Sequence, residues 1–378
     1  MAFSGKATYD NFALIGEDVA DLVELLGPYE TPFLSLLSAG GPATSTYHQW
    51  TEELLGPDTI ISTGAIDSAT AATGITITGA NGLQLQVGML LQLEQSKPGV
   101  GNEIVQITSV AGASSILFTR GINGVYSSLA AGGTLTVLGA AALEGADVTT
   151  DVTRKTTRVT NVTQIIKKDI IISGTDLAVT YAPAQGDMFA HQAQMRLREC
   201  MRDLEKFVIR GAVVNSVASG TVYRSMAGLE SRLTAINSTI VTASFTANPV
   251  LYVNDVWQQC YNAGARDIDC ILVGPTWKRS ISGTNASVLS VDQSDASVKR
   301  VVETFQGDFG SARVIMSPYA PASGFYLVST SRVVPVPLQG RSFQVQRVGT
   351  TGDSQKGMVI GEYTVEIRQP QAMGQGHI

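Results

Sequence analysis

Residues 187–214, DMFAHQAQMRLRECMRDLEKFVIRGAVV, constrain this chain more than any other stretch. At 100° per residue, Ala190, Ala193, Leu197, Cys200, Met201, Leu204, Phe207 and Val208 share one side. Arg198, Glu199, Arg202, Asp203, Lys206 and Arg210 share the other. The spacing predicts an amphipathic helix of about seven turns, roughly 40 Å long, with Asp187 in its opening turn where negative charge suits the dipole. No other segment has a comparable helical period. One long helix therefore has to organise sequence that otherwise reads as strand.

A length of 378 residues exceeds what a single core usually supports, so two or more lobes are expected. Charged residues make up 15%, well under the usual quarter, and Gly is abundant at 38. Low charge with many Thr, Val, Ser and Gly predicts β-rich structure whose surfaces are partly buried against other chains. The net charge of −6 argues against a dedicated nucleic-acid binder. Cys200, Cys260 and Cys270 never pair as CxxC and read as small apolar core residues of a reduced, intracellular protein. No apolar run approaches 18 residues and no signal peptide opens the chain, so neither membrane spanning nor secretion is expected.

Residues 1–27 open polar and then become helical, with Val19, Leu22, Val23, Leu25 and Leu26 among Glu17, Asp18, Asp21 and Glu24. Strand-like sequence begins at Thr44 and returns about a hundred residues later. Between Thr149 and Thr163, seven of fifteen residues are Thr, with Arg154, Lys155 and Arg158 among them. Neither face of that strand carries an apolar stripe, so a two-stranded ribbon of such sequence cannot stand alone. It has to lie on something else, and a neighbouring subunit is the natural candidate; the plain alternative is a solvated hairpin arm.

Between the two ribbon strands, 63–138 reads as several short strands parted by Gly-bearing turns such as Asn123-Gly124. Leu83 through Leu93 alternates with period 2, and the whole predicts a small β-barrel-like module inserted in a loop. Beyond the long helix a mixed α/β lobe is expected, with Asn254 as a helix N-cap, a buried strand over 269–273 and a helix opening at Pro275. Two more strands close the chain.

The order of parts resembles the tailed-phage major capsid proteins of the HK97 fold, and more narrowly the SU10-like major capsid protein family. The residues carrying the resemblance are Glu30 to Leu34, Trp50-Thr51-Glu52-Glu53-Leu54, then Asn161, Thr163 and Gln164, and Ile172 to Thr175. Leu204-Glu205, Gly211, Arg224 to Leu229, Val273-Gly274-Pro275 and Asp308-Phe309-Gly310 continue it. The insert, with Gly88, Glu103 and Arg120-Gly121, is similar to the small β-domain some members carry, although Val125 stands where Thr is expected.

The resemblance implies an α+β fold with an N-arm (1–43), an extended loop or E-loop (44–62 and 139–170) and an inserted β-domain (63–138). It further implies a P-domain (171–243 and 340–378) with spine helix 187–214, and an A-domain (244–339). It implies a homo-oligomer of hexameric and pentameric capsomers, closing into an icosahedral virion shell around double-stranded DNA after assembly in the host cytoplasm. Each E-loop is implied to lie over an adjacent subunit. Portal, scaffolding and decoration proteins are the further implied partners. No cofactor and no membrane are implied.

Candidate inter-subunit contacts are Trp50, Glu52, Glu53, Arg154, Lys155 and Arg158, the last three facing acids of a neighbour such as those of the arm. Arg198, Arg202, Lys206 and Arg210 are candidate interior residues near DNA phosphate, weighed equally against a solvated helix face with internal ion pairs. His48, His191 and His377 lack metal-ligand spacing, and 352–357 lacks the Lys-Ser/Thr of a phosphate loop. No catalytic site, cofactor site or metal site is therefore expected. Some capsids of this fold crosslink Lys to Asn, yet no such pair stands out here. An encapsulin-like shell, a tail or decoration protein, and an enzyme with its site in 244–339 are the rivals, the last disfavoured because that lobe has no His.

Overall fold

A computed structural model describes residues 31–53, 55–56, 58–67, 74–78, 85–93, 102–112, 114–140, 156–179, 187–214, 223–236, 249–284, 303–322, 324–349 and 352–377. The chain divides into two compact units, one of residues 51–157 and one of residues 1–50 with 158–378.

The first strands in chain order are β1 (Tyr47–Glu52), β2 (Thr59–Ile61), β3 (Gly74–Thr76), β4 (Met89–Leu93), β5 (Glu103–Gly112), β6 (Ser115–Thr119), β7 (Thr134–Ala140), β8 (Thr157–Val162) and β9 (Gln164–Ser173). In the smaller unit, β2 to β7 form one antiparallel sheet in the order β2-β7-β4-β5-β6-β3. Its two edges then meet. Thr63 N donates to Thr76 O and Thr78 N to Ile61 O, both at 2.9 Å, with a bridge between Ser62 and Ile77. The sheet thus closes into the expected barrel and leaves no free edge where β2 meets β3. Ile60, Leu91, Leu93, Val105, Ile116 and Leu135 fill it, each fully buried. The strand expected across 83–93 starts only at Met89, because Gly88, at φ 92°, turns the chain just before it. Asn123-Gly124 does form a turn, with Gly124 at φ 75°.

The larger unit follows with α1 (Gly174–Ala178), α2 (Met188–Arg210), α3 (Leu229–Ile236), α4 (Pro249–Asn262), β10 (Cys270–Val273), α5 (Pro275–Thr284), β11 (Thr304–Gly307), β12 (Gly310–Met316), β13 (Gly324–Val328), β14 (Val333–Pro337), β15 (Gln344–Val348), β16 (Ser354–Ile367) and β17 (Gly374–His377). Helix α2 is the long helix read from the sequence. Its N-cap is Asp187, whose carboxylate accepts from Phe189 N at 3.0 Å. It ends at Arg210, short of the expected Val214, with Gly211 as its C-cap. There the chain crosses itself: Gly228 N donates to Gly211 O at 2.7 Å, and a Cβ on either glycine would sit 2.4 Å from Phe207 O. Only glycine allows that approach.

Helix α2 lies on a sheet in which β9, β14 and β15 all pair with β16. Phe189, Ala193, Cys200, Leu204 and Val208 join Ile166, Ile170, Val359 and Val365 in one core, and Phe33 enters the same core from the N-terminal turn. Phe189 fits because Gly357 faces it; a Cβ there would stand 2.4 Å from the ring. Lys168 of β9 reaches Asp203 at 2.8 Å.

The second sheet runs β11-β12-β10-β13-β17, with β10 and β12 parallel and α4 and α5 packed beside it. Two strands change sheets relative to the expected partition. That partition puts residues 333–337 with the α/β lobe, yet β14 pairs with β16; it puts residues 374–377 with the spine helix, yet β17 pairs with β13. The chain crosses between sheets twice, at 329–332, after which Val333 lies opposite Ile367, and at 368–373, after which Gly374 lies opposite Leu327. Helix α4 begins at Pro249, so Asn254 is mid-helix and not its N-cap; α5 opens at Pro275 as expected. The three cysteines are buried and free, and burial pushes the Cys200 thiol up to about 11 and those of Cys260 and Cys270 to about 12. The residues 352–357 belong to the turn and strand start between β15 and β16.

Candidate functional site: the root of the extended loop

Strands β1 and β8 form a two-stranded ribbon, and no residue of β1 is buried. The ribbon's inner end is anchored by buried polar groups that its sequence does not advertise. Asn161 uses its whole amide: Nδ2 donates to Ala227 O (3.0 Å) and Val365 O (2.8 Å), while Oδ1 accepts from Ala227 N and Val162 N (both 2.9 Å). Two residues on, the Thr163 hydroxyl donates to Glu362 Oε1 at 2.6 Å. Arg224 and Arg341 bind the same carboxylate at 3.1 and 3.0 Å. Gln164 Oε1 accepts from Met226 N at 3.1 Å.

Apart from the Val162 contact, the bonds of Asn161, Thr163 and Gln164 join the loop root to the segment 224–228 or to β16, more than 60 residues away in sequence. A buried amide or carboxylate so satisfied holds one geometry, because any other leaves it unpaired.

A second anchor lies on the outgoing strand. His48 Nε2 stands 2.5 Å from Glu366 Oε1, and Arg368 binds the other oxygen of that carboxylate. Burial pushes Glu366 up, but His48 and Arg368 outweigh it and hold the carboxyl below its usual range. Glu362, Thr364 and Glu366 alternate in β16 with Tyr363, Val365 and Ile367. Such alternation reads as one wet and one dry face, yet all three polar residues are buried, with Thr163, Arg224 and Arg341 on Glu362 and His48 and Arg368 on Glu366.

The expected contact residues are distributed as follows. Trp50 is half-buried, its ring 6.1 Å from His48 and 5.9 Å from the Arg232 guanidinium, so it is engaged within its own chain. Arg232 also donates to Thr160 O. Glu52 is half-buried; Glu53 and Arg158 are exposed. Arg154 and Lys155 lie outside the described residues, as do Glu17, Asp18, Asp21 and Glu24 of the arm.

On α2, Arg198 and Arg210 are exposed, while Arg202 and Lys206 flank Asp203 at 3.9 and 3.5 Å. Lys206 also lies 5.3 Å over the Tyr319 ring. Periodicity missed Glu205, which is fully buried. Its carboxylate accepts from the Ser317 hydroxyl at 2.9 Å and from Leu34 N at 3.4 Å. Burial raises its pKa, and these neutral donors offset only part of the rise. A single acid among Leu204, Val208 and Ile209 was the available signal.

Among the described residues no group of three His, Cys, Asp or Glu is placed to hold a metal, and no helix is long and apolar enough to cross a membrane.

Solved structures share this fold. The capsid of Myoviridae phage XM1 aligns over 99% of both chains at 10% identity and a TM-score of 0.52. A chain of Microbacterium phage Oxtober96 aligns over 98% of both at 10% identity and 0.54. The holo-SrpI encapsulin of Synechococcus elongatus PCC 7942 covers 58% of this chain and 75% of its own, at 10% identity and 0.40, a likeness too slight to decide anything. No curated protein matches the chain.

A spine helix on a sheet beside an α/β lobe, aligned with those chains over nearly its whole length, gives this protein the HK97-type capsid fold. The profile of the SU10 major capsid protein family matches residues 3–377, and the chain belongs to that family.

Proposed function

We propose that the protein works by self-assembly and not by catalysis, forming hexamers and pentamers that close into an icosahedral shell around double-stranded DNA. The β1–β8 ribbon carries this reading. Its root is fixed by buried bonds through Asn161, Thr163 and Glu362, yet along β1 no side chain is buried. A rigidly aimed but uncovered ribbon gains its cover from an adjacent copy. Glu52, Glu53, Arg154, Lys155 and Arg158 are the ribbon charges offered to that neighbour, and Trp50 helps to aim the strand. Exposed pairs add little singly, but a network over a large interface fixes register.

The interior role of Arg198, Arg202, Lys206 and Arg210 has weaker support, since Asp203 already lies between two of them. Family membership supports the further reading that assembly takes place in the host cytoplasm, with portal, scaffolding or decoration proteins as partners. Negative-stain microscopy of the purified chain tests the proposal: closed shells are expected, and a monodisperse monomer at high concentration overturns it. Enzyme cargo in place of DNA inside purified particles would favour an encapsulin-like shell.

A further inference from the structure

Helix α2 carries an apolar arc wider than its sheet covers. Phe189, Ala193 and Cys200 face the sheet and are buried, but Ala190, Leu197 and Met201, about 80–100° around the helix, are open, Leu197 and Met201 at 36% and 37% exposure. Further along that open side, Leu204, Glu205 and Val208 are buried again. What closes the C-terminal end includes the N-terminal turn: Phe33 joins their core, and Leu34 N donates to Glu205. The chain upstream of Thr31 therefore departs from the point where α2's cover ends.

The departing sequence matches the open side in chemistry. Residues 17–26, EDVADLVELL, place Val19, Leu22, Val23 and Leu26 at i, i+3, i+4 and i+7. Residues 7–30 contain no Lys or Arg. Beside the open residues of α2 stand Arg198 and Arg202, and the buried Nε of Arg202 has no hydrogen-bond partner among the described residues. Reach suffices: five residues from Leu26 to Thr31 span up to roughly 17 Å, and α2 rises only about 12 Å between Leu197 and Glu205.

We propose that residues 17–26 form a helix that docks on α2 of the same chain, its apolar side on Ala190, Leu197 and Met201 and its acids toward Arg198 and Arg202. The exposed acids then complement α2's basic flank, which assigns Arg198 and Arg202 a protein partner in place of DNA phosphate. This goes beyond the assembly reading and does not depend on it.

Hydrogen–deuterium exchange on the full-length, unassembled chain tests it. Amides 19–26 are expected to be protected, and Leu197→Asp to lower that protection about tenfold or more while β16 stays unchanged, which shows the fold intact. Reversing Arg198 and Arg202 to Glu should have the same effect, and adding Asp18→Lys with Asp21→Lys should restore protection. Free exchange of 19–26 in the wild type, or protection indifferent to Leu197→Asp, overturns the proposal. Protection that appears only in assembled particles also overturns it, because the arm then lies on a neighbour.

Discussion

Two glutamates, one in each unit, are fully buried and live by opposite electrostatics. Glu103, in the barrel, receives Arg120 through Nε (2.8 Å) and Nη2 (2.6 Å), together with Ser127 N (2.8 Å) and Gly121 N (3.2 Å). Arg120 also donates through Nη1 to Asp67 O and through Nη2 to Ser127 O, both at 2.7 Å. Burial pushes Glu103 up, but that fork and the backbone donors outweigh it and hold the carboxyl below its usual range. Glu205, on the spine helix, meets only neutral donors, and burial holds it above the usual range. The barrel thus buries a paired charge, whereas the spine junction buries an acid whose ionisation burial opposes and no cation supports. Burial alone says nothing about charge state; the partners decide it.

The contrast can be broken most forcefully at Arg120. Arg120→Met leaves Glu103 buried without its cation, and should destabilise the barrel by about 3–5 kcal/mol. Replacing both partners together, Glu103→Leu with Arg120→Met, removes the stranded charge and should cost less, its remaining loss coming from the backbone groups of Ser127, Gly121 and Asp67 left without partners. Denaturant titration of the two variants measures the gap, and equal losses would mean the ion pair is not the barrel's pin.

A neutral hub should fall between the two acids. Asn161→Ala strands buried backbone groups at Ala227 and Val365, and a loss of about 2–3 kcal/mol is expected in the larger unit. Exchange of amides 225–228 should rise with it. An unaffected root would remove the reason for treating this cluster as the ribbon's anchor.

The pH responses should have opposite signs. A lowered folded pKa gives Glu103 a contribution present above the unfolded value of about 4.3 and lost as pH falls through the folded one. A raised folded pKa gives Glu205 a contribution present below about 4.3 and lost as pH rises through its folded value. Acidification should therefore weaken the barrel first. Glu205→Gln keeps one acceptor, for Leu34 N, and its amide NH2 can donate to the Ser317 hydroxyl oxygen in place of accepting from it, so it should change stability by no more than about 1 kcal/mol near pH 5 and gain on the wild type as pH rises. Thermal melts across pH read this directly, and parallel curves for the wild type and the Glu205→Gln variant would show that folding does not raise the pKa of this acid. The smallest effect is expected at exposed Arg158, where Arg158→Ala should shift monomer stability by less than about 0.5 kcal/mol while weakening assembly.

Much of the scaffold was legible in advance. Asp187, the period of α2, Pro275 and the Gly124 turn act over a few residues, and the chain states them plainly. The barrel was legible as alternating strands, but Gly88 shifted the start of one, because a positive-φ turn overrides alternation. The apolar side of α2 reads as one face, yet the sheet covers only part of it and leaves Leu197 and Met201 open. The site was less legible. Asn161, Thr163 and Gln164 drew notice only through a family resemblance, and nothing local shows that Glu362 and Glu366 are buried.

By itself, the sequence determined the elements that short-range physics controls: where α2 begins, which stretches alternate and where glycine permits a turn. Tertiary structure alone decided which strand pairs with which, sending β14 to β16 and β17 to β13. It also decided which acids are buried and whether a cation meets them. Those outcomes depend on residues far apart along the chain coming into hydrogen-bond distance, and no local pattern encodes the neighbour that arrives.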